Sequence, residues 1–328
     1  MKNFIKNVFY LLFLGIFILT IFVSYGKMLY LDQEYPMWKF KIDYAKESAD
    51  SQNIIFGDSR ALAGFIPEEI DENFINLAVG GGTSIETYYL LKNLLENNIP
   101  KKIILSISPF HMETSDVFFG RTVAFDLLSN RELQEIIDVT KKLNYNLLTK
   151  EKYKSTMDLY KFQAISFLKL NNFFLDYRSN LKAFSLNPLR PILNYNISKE
   201  VKSDDGQYNF GNQEYSSGLN EESVSEEFIP NKILDHYYHK ILNLLSENEI
   251  KVYVINTPFN QSSFENTSLN YKNGYNEYIL QLKNKYPDVL WFNELIFYSN
   301  DFFGDPSHLN KKGSKKFSKY VKNILNNN

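Results

Sequence analysis

The sequence predicts an α/β domain built on a parallel sheet and preceded by one membrane-spanning helix. Three observations predict it. Short apolar runs closed by Gly, Ser-Pro or Thr-Pro alternate with longer stretches of helical periodicity. Polar or glycine-rich turns follow several of those runs. Residues 8–25, VFYLLFLGIFILTIFVSY, carry no charge. Strands that alternate with helices bury both faces of a parallel sheet. Right-handed crossovers then give three layers.

The elements follow in order. Eighteen uncharged residues at 1.5 Å each span about 27 Å, close to the hydrocarbon core of a bilayer. Lys2 and Lys6 precede the run, so the N-terminus is expected in the cytoplasm and the remainder outside the cell. A cleaved signal peptide competes with this reading, but Ser24-Tyr25-Gly26-Lys27 is a poor cleavage site. A buried soluble helix competes too, although eighteen apolar residues all round exceed what one core face requires. Residues 1–27 are thus expected as the anchor, 28–52 as a juxtamembrane stalk and 53–328 as the folded domain.

Within that domain, Asn53-Ile54-Ile55-Phe56-Gly57 reads as a buried strand. Phe74-Ile75-Asn76-Leu77 is a second, followed closely by Gly80-Gly81-Gly82. Thr83 and Glu86 form a capping box for the next helix. Ile103-Ile104-Leu105-Ser106-Ile107 is a third strand, Val252-Tyr253-Val254-Ile255 a fourth and Val289-Leu290-Trp291-Phe292 a fifth. Residues 233–245 suit an amphipathic helix, and Phe317, Tyr320, Val321 and Ile324 mark a last one. Residues 121–200 read as largely helical, inside an insertion or cap at about 121–230. Residues 203–228 hold seven acids and no base, the pattern of a solvated loop.

Composition narrows the function. Hydrophobic residues are 44% and charged residues 23%, enough for a sizeable core, and the net charge of −2 offers no field for nucleic acid. The absence of cysteine excludes disulfides, thiolate catalysis and thiolate metal sites. His236 and His239 lie three apart on an expected helix, but no third ligand accompanies them, so no metal is expected. No cofactor is expected either.

In a parallel sheet, sites form at the carboxyl ends of the strands. Gly57-Asp58-Ser59-Arg60, Val79-Gly80-Gly81-Gly82 and Ser108-Pro109-Phe110-His111 stand at such ends, and Asp305-Pro306-Ser307-His308 precedes the last helix. Acyl transfer explains this set. A serine hydroxyl needs a neighbouring base, and the histidine base needs a carboxylate that fixes its tautomer. Ser59 is the expected nucleophile, His308 the base and Asp305 its partner; Asp301 is a rival at less suitable spacing. The oxyanion needs backbone N–H donors, for which Ser59 and Gly80 or Gly81 are candidates. Asp58 is expected to hold the turn. Arg60, Ser108 and His111 are possible substrate contacts. A Gly-Asp-Ser alone arises by chance in roughly one chain in ten of this length. The combination, in this order and at matching strand ends, is far rarer.

These segments resemble the blocks of the SGNH (GDSL-like) hydrolase superfamily. Gly57-Asp58-Ser59 matches its nucleophile block, and Gly80 in Asn76-Leu77-Ala78-Val79-Gly80 matches its oxyanion glycine. Asp305 to His308, with Leu309-Asn310 and Gly313, matches its last block. The likeness spans 53–111 and 251–325. It implies a three-layer flavodoxin-like domain and a Ser-His-Asp hydrolase or acyltransferase. The family's third block, Gly-x-Asn-Asp, is absent, and Ser106-Ile107-Ser108-Pro109-Phe110 stands there without the oxyanion Asn. With the anchor, this Ser-Pro resembles a subgroup that acts on teichoic acids and exopolysaccharides beside a membrane-bound O-acyltransferase (MBOAT). The resemblance therefore implies O-acylation of an envelope polymer, a glycan or teichoic-acid-like substrate and an MBOAT partner. A membrane-anchored carbohydrate or lipid esterase and a non-catalytic assembly protein are the alternatives.

Overall fold

A computed structural model describes residues 2–48, 52–115, 117–145, 147, 189–210 and 213–328. Its centre is a five-stranded parallel sheet of β1 (Asn53–Gly57), β2 (Phe74–Asn76), β3 (Lys102–Ser106), β4 (Lys251–Ile255) and the edge strand β6 (Leu290–Phe292), ordered β2-β1-β3-β4-β6. That order is compatible with a flavodoxin-like arrangement. Two further two-residue strands, β5 (Phe259–Asn260) and β7 (Phe297–Tyr298), pair beside the sheet. They are too short to leave a periodic signal in the sequence.

Alternation along the strands divides the core. Ile54, Phe56, Ile103, Leu105, Val252 and Val254 point into one apolar cluster. Ile55, Ile104, Tyr253 and Ile255 point into the other. The first cluster takes in α6 (Ser84–Leu95), α8 (Asn130–Leu143), α10 (Lys232–Glu247) and α12 (Leu269–Lys285). The second takes in α4 (Ser59–Gly64), α5 (Pro67–Ile70), α9 (Arg190–Ser203) and α13 (Lys311–Asn326). Two buried faces explain why these strands read as continuous apolar runs rather than alternating ones. The capping box at Thr83 and Glu86 is formed as expected.

The stalk expectation is overturned. Residues of this segment form α2 (Lys27–Tyr30) and α3 (Glu34–Glu47). Tyr35, Trp38, Ile42 and Ala45, at helical spacing, are buried in the first cluster, and Met37 enters the second. Lys41 is wholly buried and donates to the carbonyls of Asn76 and Gly206. Burial holds its ammonium well below the ordinary lysine value.

The insertion also differs from expectation. Its described parts are built into the domain: Leu133, Ile136 and Ile137 lie in the first cluster, and Ile197 and Val201 in the second. Much of the expected helical stretch, 148–188, lies outside the described residues.

At the N-terminus, α1 (Lys2–Tyr25) is a continuous helix of 24 residues. Phe9, Leu11, Phe13 and Ile16 are among its outward, exposed side chains. Among the described residues, no helix is long and apolar enough to cross a membrane. The transmembrane part of the expected fold is therefore not shown.

Candidate functional site

The order in which strands are added reverses between β1 and β3. β2 follows β1 on one side and β3 lies on the other, so a crevice opens at their carboxyl ends. Gly57 pairs in register with Ser106 there. A Cβ on Gly57 would sit 1.9 Å from the Ser106 carbonyl oxygen, so glycine lets the two strand ends close up. Asp58 then caps α4, accepting from the N–H groups of Arg60 at 2.9 Å and Ala61 at 3.3 Å. Ser59 follows as the first residue of that helix.

The other carboxylate oxygen of Asp58 reaches across to the turn after β3. It accepts from the Ser108 N–H and from His111 Nδ1, each at 2.9 Å. Ser108 Oγ lies 3.1 Å from the same ring nitrogen. Burial alone would raise the pKa of Asp58. The hydrogen bond and charge of His111, with Arg60 nearby, outweigh it and hold the carboxyl well below the usual range. Asp58 thus does more than the turn-holding expected of it, because it ties the turn at Ser59 to the turn after β3. Ser108 and His111, expected as substrate contacts, are partners of that tie, and His111 also borders the cavity.

Ser59, His308, His111 and Gly81 line one cavity of about 200 Å³. Asp305 Oδ2 lies 2.7 Å from His308 Nδ1, and its Oδ1 accepts the N–H groups of Ser307 and His308, both at 2.8 Å. One turn of chain therefore holds carboxylate and imidazole together. Burial opposes the charge of Asp305, but the His308 hydrogen bond and charge win, and its carboxyl titrates below the ordinary value. An ionised Asp305 must accept, so Nδ1 carries the proton, and in the neutral imidazole Nε2 is left as an acceptor. Among the described residues, Nε2 is buried and has no hydrogen-bond partner. Phe210 packs on the imidazole at 4.6 Å between ring centroids. No hydrogen bond joins Ser59 to His308 among the described residues; such contacts often tighten only when substrate is bound. Asp301, the rival carboxylate, accepts from Ser299 Oγ at 3.4 Å, and its carbonyl accepts from Asn310.

The structure separates the two glycine candidates and gives Arg60 its partners. Of the two glycine candidates, Gly81 lines the cavity, with φ +73°. Gly80 instead packs against the Glu34 carboxylate, which a Cβ there would meet at 2.2 Å. Arg60, a possible substrate contact, borders the cavity but is buried and paired. Its Nη2 lies 2.7 Å from Glu222 and 3.4 Å from Glu221. Burial works against its charge, and Glu222 more than restores it, holding the guanidinium above its ordinary range. The acidic loop expected to be solvated therefore closes over the site. Glu222 is wholly buried, and its other oxygen accepts the Phe110 N–H at 3.2 Å. The half-exposed Glu221 also accepts from Ser307 Oγ at 3.3 Å, beside His308.

Residues that sequence reasoning missed border the same space. Arg121 and Val117 line the cavity. Glu34 stands behind Gly80, with one carboxylate oxygen buried and unpartnered. No local motif marks either. His239, in the histidine pair, contacts Asp235 and Tyr286 instead, and no group of three or more metal-ligating side chains occurs among the described residues. A scan against protein-family models gives no match, and a search of curated proteins gives none either.

Proposed function

We propose that the chain is a membrane-anchored acyltransferase of the SGNH type that modifies a cell-envelope polymer. One observation carries this reading. His308 has Nδ1 committed to Asp305 at 2.7 Å, while its buried, unpartnered Nε2 belongs to a ring bordering the same cavity as Ser59. In the reaction, Ser59 Oγ attacks the acyl carbonyl and its proton passes to His308 Nε2. The carbonyl pair moves onto oxygen, then returns as the donor's C–O bond breaks and that oxygen takes the proton. An acceptor hydroxyl repeats the sequence in reverse and leaves Ser59 free. Asp305 steadies the imidazolium throughout.

The membrane placement rests on α1, whose uncharged residues 8–25 follow Lys2 and Lys6 and whose large apolar side chains are exposed. Water gives such a surface no favourable environment, and a bilayer does. An anchored enzyme meets donor and acceptor at raised effective concentration. This favours acyl groups handed over by a membrane-bound O-acyltransferase and a glycan or teichoic-acid-like acceptor outside the cell.

The test compares wild type with Ser59→Ala in cells. Ester-linked acetate and D-alanine on the envelope are measured in both strains. Acyl transfer predicts a fall in the variant. A rise would make the protein an esterase, and no change would remove the catalytic reading.

A further inference from the structure

We infer that Arg121 supplies the charged oxyanion donor of this site, in place of the asparagine that the turn after β3 lacks. The inference rests on Ser59 as nucleophile. Arg121 lies in a six-residue π-helical turn, Phe118–Val123. Such turns carry one extra residue, re-aim the side chains around them and recur at functional sites. This one is pinned from both sides of Arg121. Val117, just before the turn, packs where a Cβ on Gly81 would meet it at 2.6 Å. Thr122 Oγ1 donates to Glu86 at 2.6 Å, which ties the turn to the capping box of α6. The backbone that carries Arg121 is thereby held against both glycine loop and helix.

The guanidinium itself is held but not used up. Arg121 Nη1 donates to the Gly80 carbonyl at 3.1 Å, and Glu34 Oε1 stands at 3.7 Å, beyond a normal hydrogen bond. A guanidinium has five N–H donors in a fixed fork. Among the described residues, one of its donors has a hydrogen bond, and the side chain is 25% exposed and lines the cavity with Ser59 and His308. Arg60, the other guanidinium of the cavity, has its charge matched by Glu222 at 2.7 Å and Glu221 at 3.4 Å, both on Nη2. Arg121 is therefore the guanidinium of this cavity whose charge meets no carboxylate within hydrogen-bond distance among the described residues.

When Ser59 Oγ bonds to the acyl carbon, the carbonyl pair moves onto oxygen and creates a negative charge. Arg121 donates hydrogen bonds to that oxygen and keeps its proton throughout. A charged donor is stronger than a neutral amide, and a pinned one needs no reorganisation as the charge appears. The buried Glu34 carboxylate balances the guanidinium charge without occupying its fork.

The test uses full-length protein in detergent. Its first arm measures phosphonylation of Ser59 by a fluorophosphonate, in which a Ser–O–P bond forms and fluoride leaves. Arg121→Met should lower the maximal labelling rate about a hundredfold, with the half-saturating concentration unchanged. Arg121→Lys should lose about tenfold, because charge remains and the fork does not. Melting temperatures should match wild type. Should Arg121→Met fail to fold, the lysine variant decides alone. Labelling at the wild-type rate, or a change in half-saturation only, overturns the inference. The second arm measures inorganic phosphate binding by ³¹P NMR in wild type, Ser59→Ala and Arg121→Met. If wild type does not label, the Ser59 reading falls. Phosphate binding that survives Ser59→Ala and is lost in Arg121→Met then upholds Arg121 as the anion site, and its absence from wild type overturns it.

Discussion

Replacing Glu222 by Ala tests how the acidic loop is held over the site. The Arg60–Glu222 pair has a 2.7 Å contact between side chains that are 4% and 0% exposed. Removing one partner of such a pair leaves an uncompensated buried charge, at a cost of about 3 to 5 kcal/mol. The Phe110 N–H would also lose its acceptor, adding about 1 kcal/mol. Glu221, 3.4 Å from the guanidinium, takes over part of the charge and pulls the total toward about 4 kcal/mol. In a chain of this size that lowers the melting temperature by roughly 6 °C. Glu221→Ala is the matched control, since its side chain is 51% exposed and its pair is worth at most about 1 kcal/mol. Thermal unfolding of both variants, followed by near-ultraviolet circular dichroism, reads the difference. Arg60→Met with Glu222→Leu should recover much of the loss, because two apolar groups replace the pair without stranding a charge. Equal melting temperatures for the two single alanine variants would refute the buried-pair account.

The remaining predictions concern pH. Asp58 has its folded-state titration depressed below the ordinary 3.8, so its stabilisation is present above that value and lost as pH falls through the folded one. Asp58→Asn should therefore unfold about 2 kcal/mol more easily than wild type at pH 7 in urea, with the gap narrowing below about pH 4. A gap independent of pH would mean that charge plays no part. Glu34 titrates above its ordinary 4.5, chiefly through burial and against the pull of Arg121, so its ionisation costs stability increasingly as pH rises. Glu34→Gln should gain about 1 kcal/mol at pH 8 and nothing near pH 4. A loss at pH 8 would show instead that Arg121 depends on that charge.

How much of this was legible without coordinates depended on the range of each interaction. The five sheet strands were readable because burial on both faces demands unbroken apolar runs, as at residues 53–57 and 251–255. The Thr83–Glu86 capping box and the Asp305–His308 pair were readable because three residues of separation keep partners on one turn. The α3 helix is legible too, in the spacing of Tyr35, Trp38, Ile42 and Ala45.

Long-range pairings left no such trace. Arg60 meets Glu222 across 162 positions, His111 meets Asp58 across 53, and Arg121 reaches Gly80 across 41. An acidic run looks the same whether it is solvated or folded over a buried guanidinium, because the sequence carries charge but not distance. The choice of Gly81 over Gly80 as cavity wall was likewise made by Glu34, which fills the space beside Gly80 from a different helix. Local chemistry thus named the α/β class, the strands and the Ser59, Asp305 and His308 set from the residues alone. Which charges are buried, which are neutralised and which remain available to a ligand depended on packing between distant segments, and only the tertiary structure decided it.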